Sequence, residues 1–303
     1  MRVAITTSAF AAVDGAPLER LEQAGIEHKP NPYGRRLTKS EAIQFFSDVD
    51  GVLAGLEPLD ADVFAANPQL KAIARVGIGT ANVDFAAAEQ YGIKVSNTPS
   101  GPTEAVAEMT LAGALAILRD LVGKSDALHQ GEWPKGVVLG LASLPVLFVG
   151  FGRIGRRTAE LFHALGAQVF FYDPYVQPSD VPAWASPVKT LHAGLAQVRL
   201  VTLHCSGEAQ VIGRDELACM PPQSFLLNSA RGGLVDEHAV CDALDSGQLA
   251  GVWMDVFSRE PYSGPLTQQP KALLTPHTST YTEQCRLSME SEAVENIIRD
   301  LGR

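Results

Sequence analysis

Arg231, Glu260 and His277 each stand just past an apolar run, in "SFLLNSARGGLVDE", "MDVFSREP" and "LLTPHTST". A guanidinium stays charged at any biological pH and is costly to bury unpaired, so Arg231 needs solvent or an anion. Its planar fork suits a carboxylate, held in a two-pronged grip. The competing use is an ion pair with Asp236 or Glu237, which follow closely. Histidine is the side chain best suited to exchanging a proton near neutrality, and a neighbouring carboxylate, such as Glu260 or Asp255, favours its charged form. Taken singly, a histidine after a strand is usually a surface or capping residue. What joins the three is that each lies beyond a strand able to deliver it to one crevice.

A second group is "VLFVGFGRIGRRTAELFHALGAQVFFYD", with Gly150, Gly152 and Gly155 between an apolar strand and an amphipathic helix. Gly150 permits the tight turn, Gly152 admits a pyrophosphate to the backbone, and Gly155 lets helix and strand pack closely. The free N–H groups and positive dipole end of the helix then hold a diphosphate without a lysine. The next strand ends in Asp173, at the spacing where an acid meets the adenosine ribose hydroxyls. A carboxylate there repels a ribose phosphate, and Pro174 and Tyr175 bring no cation, so NAD is favoured over NADP.

Elements must position these groups. Short apolar runs alternate with amphipathic segments from "RVAITT" to "IKVSNTP", which predicts a parallel sheet with helices on both faces. A long, mostly buried helix follows in "PTEAVAEMTLAGALAILRDL", with Pro102 near its start. The alternation resumes at "LPVLFVG" and runs through "AQVFFYD", "VRLVTLHC", "SFLLNSA", "AGVWMDV" and "ALLTPH", a second doubly wound sheet. "YDPYVQPSDVPAWASP" reads as a surface loop. The tail "EQCRLSMESEAVENIIRDL" is an amphipathic helix needing a partner surface.

Composition narrows the function. The 303 residues are 46% hydrophobic and 19% charged, ordinary for a soluble globular protein, and no apolar run suits a membrane span. The formal charge of -10, with no basic block, argues against nucleic acid and leaves a small molecule as the partner. Cys205, Cys219, Cys241 and Cys285 are scattered without a CxxC pair, suggesting neither metal site nor disulfide framework. "MRVAITTSAF" begins like a strand rather than a signal peptide, so a cytoplasmic setting is expected.

Several ordered stretches together resemble the D-isomer-specific 2-hydroxyacid dehydrogenases, particularly the phosphoglycerate dehydrogenase-like members. They are "ARVGIGTANVDFAAAEQYGIKVSNTPSGPTEAVAE", "VGFGRIG", "NSARGGLVDE", "MDVFSREP" and "TPHTST". The resemblance implies an α/β protein of two doubly wound parallel-sheet domains: a Rossmann NAD-binding domain, residues 100–277, inserted into a flavodoxin-like substrate-binding domain made of residues 1–99 and 278–303. It further implies a homodimer. Arg231, Glu260 and His277 become the catalytic set. Cofactor contacts fall to Gly150, Gly152, Arg153, Ile154, Gly155, Asp173, His204, Cys205, Ala230 and Asp255, the last through the nicotinamide carboxamide. Arg75 and the backbone amides of Val76 and Gly77 join Arg231 in holding the substrate.

The implied reaction interconverts a D-2-hydroxy acid and its 2-keto acid with NAD. The open substrates are 3-phosphoglycerate, glyoxylate or hydroxypyruvate, and bulkier 2-keto acids; the rival of another class is an NAD(H)-sensing, corepressor-like binding protein. The chain departs from the family pattern in three places. Ala81 replaces a frequent Asp, "LHCSGEAQ" lacks the usual proline-containing loop, and "LAGLEP" offers no arginine where some phosphoglycerate dehydrogenases hold a phosphate.

Overall fold

The computed structural model describes residues 1–177, 180–207 and 209–303. Its chain divides into two compact units, one of Met1–Pro102 with Tyr281–Arg303, the other of Thr103–Thr280.

The first unit begins β1 (Arg2–Ile5), α1 (Ala16–Gln23), β2 (Glu27–Pro30), α2 (Lys39–Phe45), β3 (Gly51–Ala54), α3 (Ala61–Ala66), β4 (Ala72–Arg75), α4 (Phe85–Gln90), β5 (Lys94–Asn97). The sheet is parallel throughout, in the order β2-β1-β3-β4-β5. β3 and β4 are buried along their whole length because helices cover both faces, which is why they read as continuous apolar runs. β2, the polar "EHKP", escapes the apolar pattern because it is an edge strand with its ends exposed. Helix starts are marked by side chains that satisfy otherwise orphaned amides. Asp60 and Asp84 cap α3 and α4, and Thr38 with Glu41 forms a capping box on α2.

The second unit carries α5 (Pro102–Arg119), α6 (Leu121–His129), β6 (Pro145–Val149), α7 (Arg153–Ala164), β7 (Gln168–Tyr172), β8 (Ala185–Pro187), α8 (Leu191–Leu195), β9 (Leu200–Leu203), α9 (Arg214–Cys219), β10 (Ser224–Asn228), α10 (Glu237–Asp245), β11 (Leu249–Met254) and β12 (Ala272–Leu274). Its parallel sheet runs β12-β11-β10-β9-β6-β7-β8, so the order reverses on either side of β6, the switch point at which such sheets bind ligands. The expected long helix stops at Asp120, whose backbone is left-handed, φ 51°, and α6 follows. β8 lies within the stretch read as a surface loop; it is three residues long, ends in proline and sits at the sheet edge, where a missing N–H does no harm. Pro178 and Ser179 of that stretch, and Glu208, lie outside the described residues.

The tail forms α11 (Glu283–Asp300), capped by Thr282, and packs on α1, β3, β4 and β5 of the first unit. Met289, Ala293, Val294 and Ile297 are the face it buries.

Candidate active site

The loops beyond the carboxyl ends of the second sheet hold most of the expected residues. After β6 the backbone turns at Gly150, φ 91°, where an added Cβ would meet the Cys205 amide nitrogen at 2.5 Å. At Gly155 a Cβ would stand 2.3 Å from the Gly150 carbonyl oxygen, so helix and strand approach that closely only with glycine. At Gly152 it would enter open space. Gly152 begins α7 with no side-chain cap, leaving the first amides of the helix, including those of Arg153 and Ile154, turned toward that space. This is a cradle of the shape and polarity a dinucleotide diphosphate requires.

Asp173 follows β7 and accepts the amides of Phe151 at 2.8 Å and Tyr175 at 2.9 Å, one on each oxygen. The carboxylate is thereby locked beside the glycine turn, with acceptor capacity remaining for a ribose hydroxyl. His204 and Cys205 follow β9. His204 stacks on Phe148, its Nε2 lies 2.9 Å from the Thr202 hydroxyl, and burial pushes its pKa down to about 3. It is therefore a neutral wall residue and no cation for a diphosphate. Burial likewise raises the Cys205 thiol, which stays protonated.

Arg231 follows β10 in extended conformation. Asn228 braces it: its Nδ2 donates to the Arg231 carbonyl at 2.9 Å, while its Oδ1 accepts the Ala230 amide at 3.0 Å. Arg231 donates to the Ala230 carbonyl at 2.6 Å. Asp236 caps α10, and Glu237 accepts the Ser258 amide at 2.8 Å. Gly232 is a requirement that sequence reading passed over: a Cβ there would lie 1.9 Å from the carbonyl carbon of Phe257. The arginine loop therefore rests directly on the backbone leading to Glu260.

Glu260 and His277 form a pair, with Nδ1 2.9 Å from Oε2. The other Glu260 oxygen accepts the Phe257 amide at 3.1 Å. Since a carboxylate only accepts, Nδ1 is the donor, and Nε2 is left to meet a substrate. The His277 side chain is 38% exposed and that of Glu260 23%, sheltered enough to strengthen the pair and open enough to be reached. His277 itself adopts a left-handed backbone, φ 54°, uncommon for any residue but glycine.

Asp255 explains how that conformation is held. It is fully buried after β11, and its oxygens accept four donors: the Thr275 hydroxyl at 2.6 Å, the Thr278 amide at 2.9 Å, and the Ser279 amide and hydroxyl at 2.9 and 2.5 Å. Trp253 donates to the Thr275 hydroxyl at 3.1 Å. Asp255 thus clamps the residues on either side of His277. A carboxamide contact would have to share an oxygen that already carries two donors.

The remaining expected residues belong to the first unit. Arg75 ends β4 and is buried, its guanidinium folded back to the Val76 carbonyl. The amides assigned to the substrate carboxylate need correction. Val76 donates to the Ala54 carbonyl at 2.9 Å and Gly77 to the Thr98 hydroxyl at 2.7 Å, so the sheet and its edge consume both. Among the described residues nothing engages the amides of Ile78 and Gly79, on the half-exposed backbone that follows. The β-ladder runs one residue past β4 and takes the Val76 amide, and the Thr98 hydroxyl takes the next.

The matching family model is the NAD-binding domain of D-isomer-specific 2-hydroxyacid dehydrogenases, over residues 111–279. The chain belongs to that family. It is 31% identical to a hydroxypyruvate reductase of Thermotoga maritima over 88% of this chain and 89% of the relative. It is 34% identical to a D-3-phosphoglycerate dehydrogenase of Mycobacterium bovis over 79% of this chain but only 46% of that longer protein. Among solved structures, the TT0316 protein of Thermus thermophilus matches with a TM-score of 0.90 and 33% identity, over 99% of this chain and 97% of the other. The dehydrogenase is accordingly an NAD-dependent oxidoreductase acting on 2-hydroxy acids, and the glycine cradle and Asp173 are the residues that fit the cofactor. Among the described residues, no cluster of His, Cys, Asp or Glu could hold a metal and no helix is long and apolar enough to cross a membrane.

Proposed function

We propose that His277 is the acid/base, Arg231 the substrate anchor and Glu260 the positioning carboxylate in the interconversion of a D-2-hydroxy acid and its 2-keto acid. The observation that carries this reading is the 2.9 Å Glu260–His277 contact beyond β12, in a loop clamped by Asp255. A nicotinamide cofactor held by the Gly150–Gly155 cradle and Asp173 would supply or accept the hydride at the substrate's second carbon. In reduction, protonated His277 gives its Nε2 proton to the carbonyl oxygen, and Glu260 stabilises the imidazolium. Arg231 holds the carboxylate and offsets charge developing on that oxygen. In oxidation neutral His277 takes the hydroxyl proton. The first unit is the substrate-binding unit, where the free amides of Ile78 and Gly79 suit a carboxylate.

The substrates that this reading admits are hydroxypyruvate or glyoxylate and the phosphorylated 3-carbon acid named for the relatives. NADH oxidation over a panel of glyoxylate, hydroxypyruvate, phosphohydroxypyruvate, pyruvate and phenylpyruvate, repeated with His277→Ala, tests it. Turnover abolished in the variant is the expected result. Tight NADH binding without turnover on any member would overturn it in favour of a cofactor-sensing role.

The dehydrogenase works as a cytoplasmic homodimer. Free thiols at all four cysteines support the reducing setting. Support for the dimer is α6, which buries none of its residues, and the exposed Leu121, Val122, Leu128, Trp133 and Val137 beside a groove of about 550 Å³. Light scattering should give twice the chain mass, and Val122→Lys with Leu128→Lys should give monomers.

A further inference from the structure

Between β11 and β12 the chain from Phe257 to Gly264 forms neither helix nor strand, so side chains must set its course. Ser258 and Arg259 are exposed, and packing holds neither, yet the carboxylate that follows them meets His277 at 2.9 Å. A restraint comes from elsewhere in the chain. The Ser258 amide donates to Glu237 Oε1 at 2.8 Å. Glu237 is buried in the first turn of α10, directly after the cap residue Asp236, and the helix behind it is anchored by buried Ala239, Val240, Cys241 and Leu244. An acid at a helix start ordinarily serves that helix by complementing its dipole. Here an oxygen of the acid also serves a segment 21 positions away.

The Ser258 N–H and the Phe257 carbonyl belong to one planar peptide unit. Glu237 holds the first, and the second lies against Gly232, so a single plane is gripped from both edges. Phe257 is itself buried, its ring stacks on Tyr262 with centroids 4.0 Å apart, and its amide donates to Glu260 Oε1 at 3.1 Å. The other Glu260 oxygen, Oε2, is the one that meets His277 Nδ1.

We propose that Glu237 is a positioning residue for the reaction: by holding the Phe257–Ser258 peptide plane it aims the Glu260 carboxylate at His277. This rests on the proposed roles of Glu260 and His277. Glu237 acts through Glu260, so the informative readouts are a split between kcat and KM and a comparison of reach with charge.

The test is steady-state reduction, with NADH, of whichever acid the wild type reduces fastest among glyoxylate, hydroxypyruvate, phosphohydroxypyruvate, pyruvate and phenylpyruvate, by the full chain as wild type, Glu237→Asp, Glu237→Gln and Glu237→Ala. Asp keeps the charge at the start of α10 but falls a methylene short of Ser258; Gln keeps the reach and an acceptor oxygen but not the charge. In Glu237→Asp, kcat and kcat/KM should fall together by roughly tenfold with KM little changed, as for a misplaced group whose effect is felt in the transition state. Glu237→Ala should do the same, and Glu237→Gln should recover most of the wild-type rate. In a Glu260→Gln background Glu237→Asp should cost little further activity, because the carboxylate it aims is gone. The reverse order, with wild-type kcat in Glu237→Asp and a loss in Glu237→Gln, marks a charge that serves the helix and overturns the proposal alone, as do fully additive losses in the double variant. No turnover of any 2-keto acid by the wild type overturns the functional reading and this inference with it.

Discussion

Asp255 and Ser279 are joined twice, the amide and the hydroxyl of Ser279 both donating to Oδ2, at 2.9 and 2.5 Å. The pair, with Thr275 and Thr278 on Oδ1, encloses His277 in a loop with one acceptor at its centre. Asp255→Asn turns part of that acceptor into a donor facing donors, leaving buried groups unsatisfied at a cost of about 1–3 kcal/mol. A lowered Tm should accompany a fall in kcat/KM of roughly tenfold or more, because the histidine loses its fixed geometry. Ser279→Ala, which removes one donor, should show the same direction with a smaller effect. Thermal melts and kinetics on the same preparations decide whether stability and turnover move together.

Glu260→Gln keeps a side chain of the same shape but replaces the carboxylate that accepts the His277 Nδ1 proton. On the proposed mechanism, reduction should fall by about 10²-fold, in the range for a positioned acid/base system. Steady-state turnover equal to the wild type would assign Glu260 a structural role only.

Gly232→Ala places a methyl group within 1.9 Å of the Phe257 carbonyl carbon, a backbone atom that cannot swing aside. The expected cost is about 3 kcal/mol, the upper range of overpacking, with a loss of activity as the segment leading to Glu260 is displaced. NADH binding, measured by fluorescence titration, should survive better than turnover, since the glycine cradle at Gly150–Gly155 is formed separately.

The capping box on α2 provides a pH signature. Arg35 and the Thr38 amide hold the Glu41 pKa down at about 2, from an ordinary value of 4.5. A carboxylate depressed in the fold stabilises above its unfolded pKa and loses that contribution as the pH falls toward the folded one. Glu41→Gln should therefore melt below the wild type at pH 6, with the gap closing between about pH 4.5 and pH 2. Its partner Arg35 is largely exposed and water screens the pair, so the gap is small; a gap unchanged at pH 2 would contradict the assignment.

Where chemistry is local in the chain, the sequence was enough. Gly150, Gly152, Gly155 and Asp173 lie within one strand, turn, helix and strand, and Gly155 answers a steric demand made inside that unit, against the Gly150 carbonyl. The buried strands β3, β4, β9 and β10 announced themselves because a parallel sheet covered on both faces needs unbroken apolar runs. β2 and β8 did not, since edge strands bury too little to leave a pattern.

Contacts between distant segments were decided only by tertiary structure. Gly232 is obligatory because Phe257, 25 positions on, lies against it, and Asp255 is a clamp because residues 275–279 fold back over β11. The amides of Val76 and Gly77 are consumed by Ala54 and Thr98, which moves the free donors to Ile78 and Gly79. Residue type specifies what a side chain is able to do, and it specifies this locally. Which donors remain free depends on how strands pair, and pairing is set by register across the sheet, a property of no single segment.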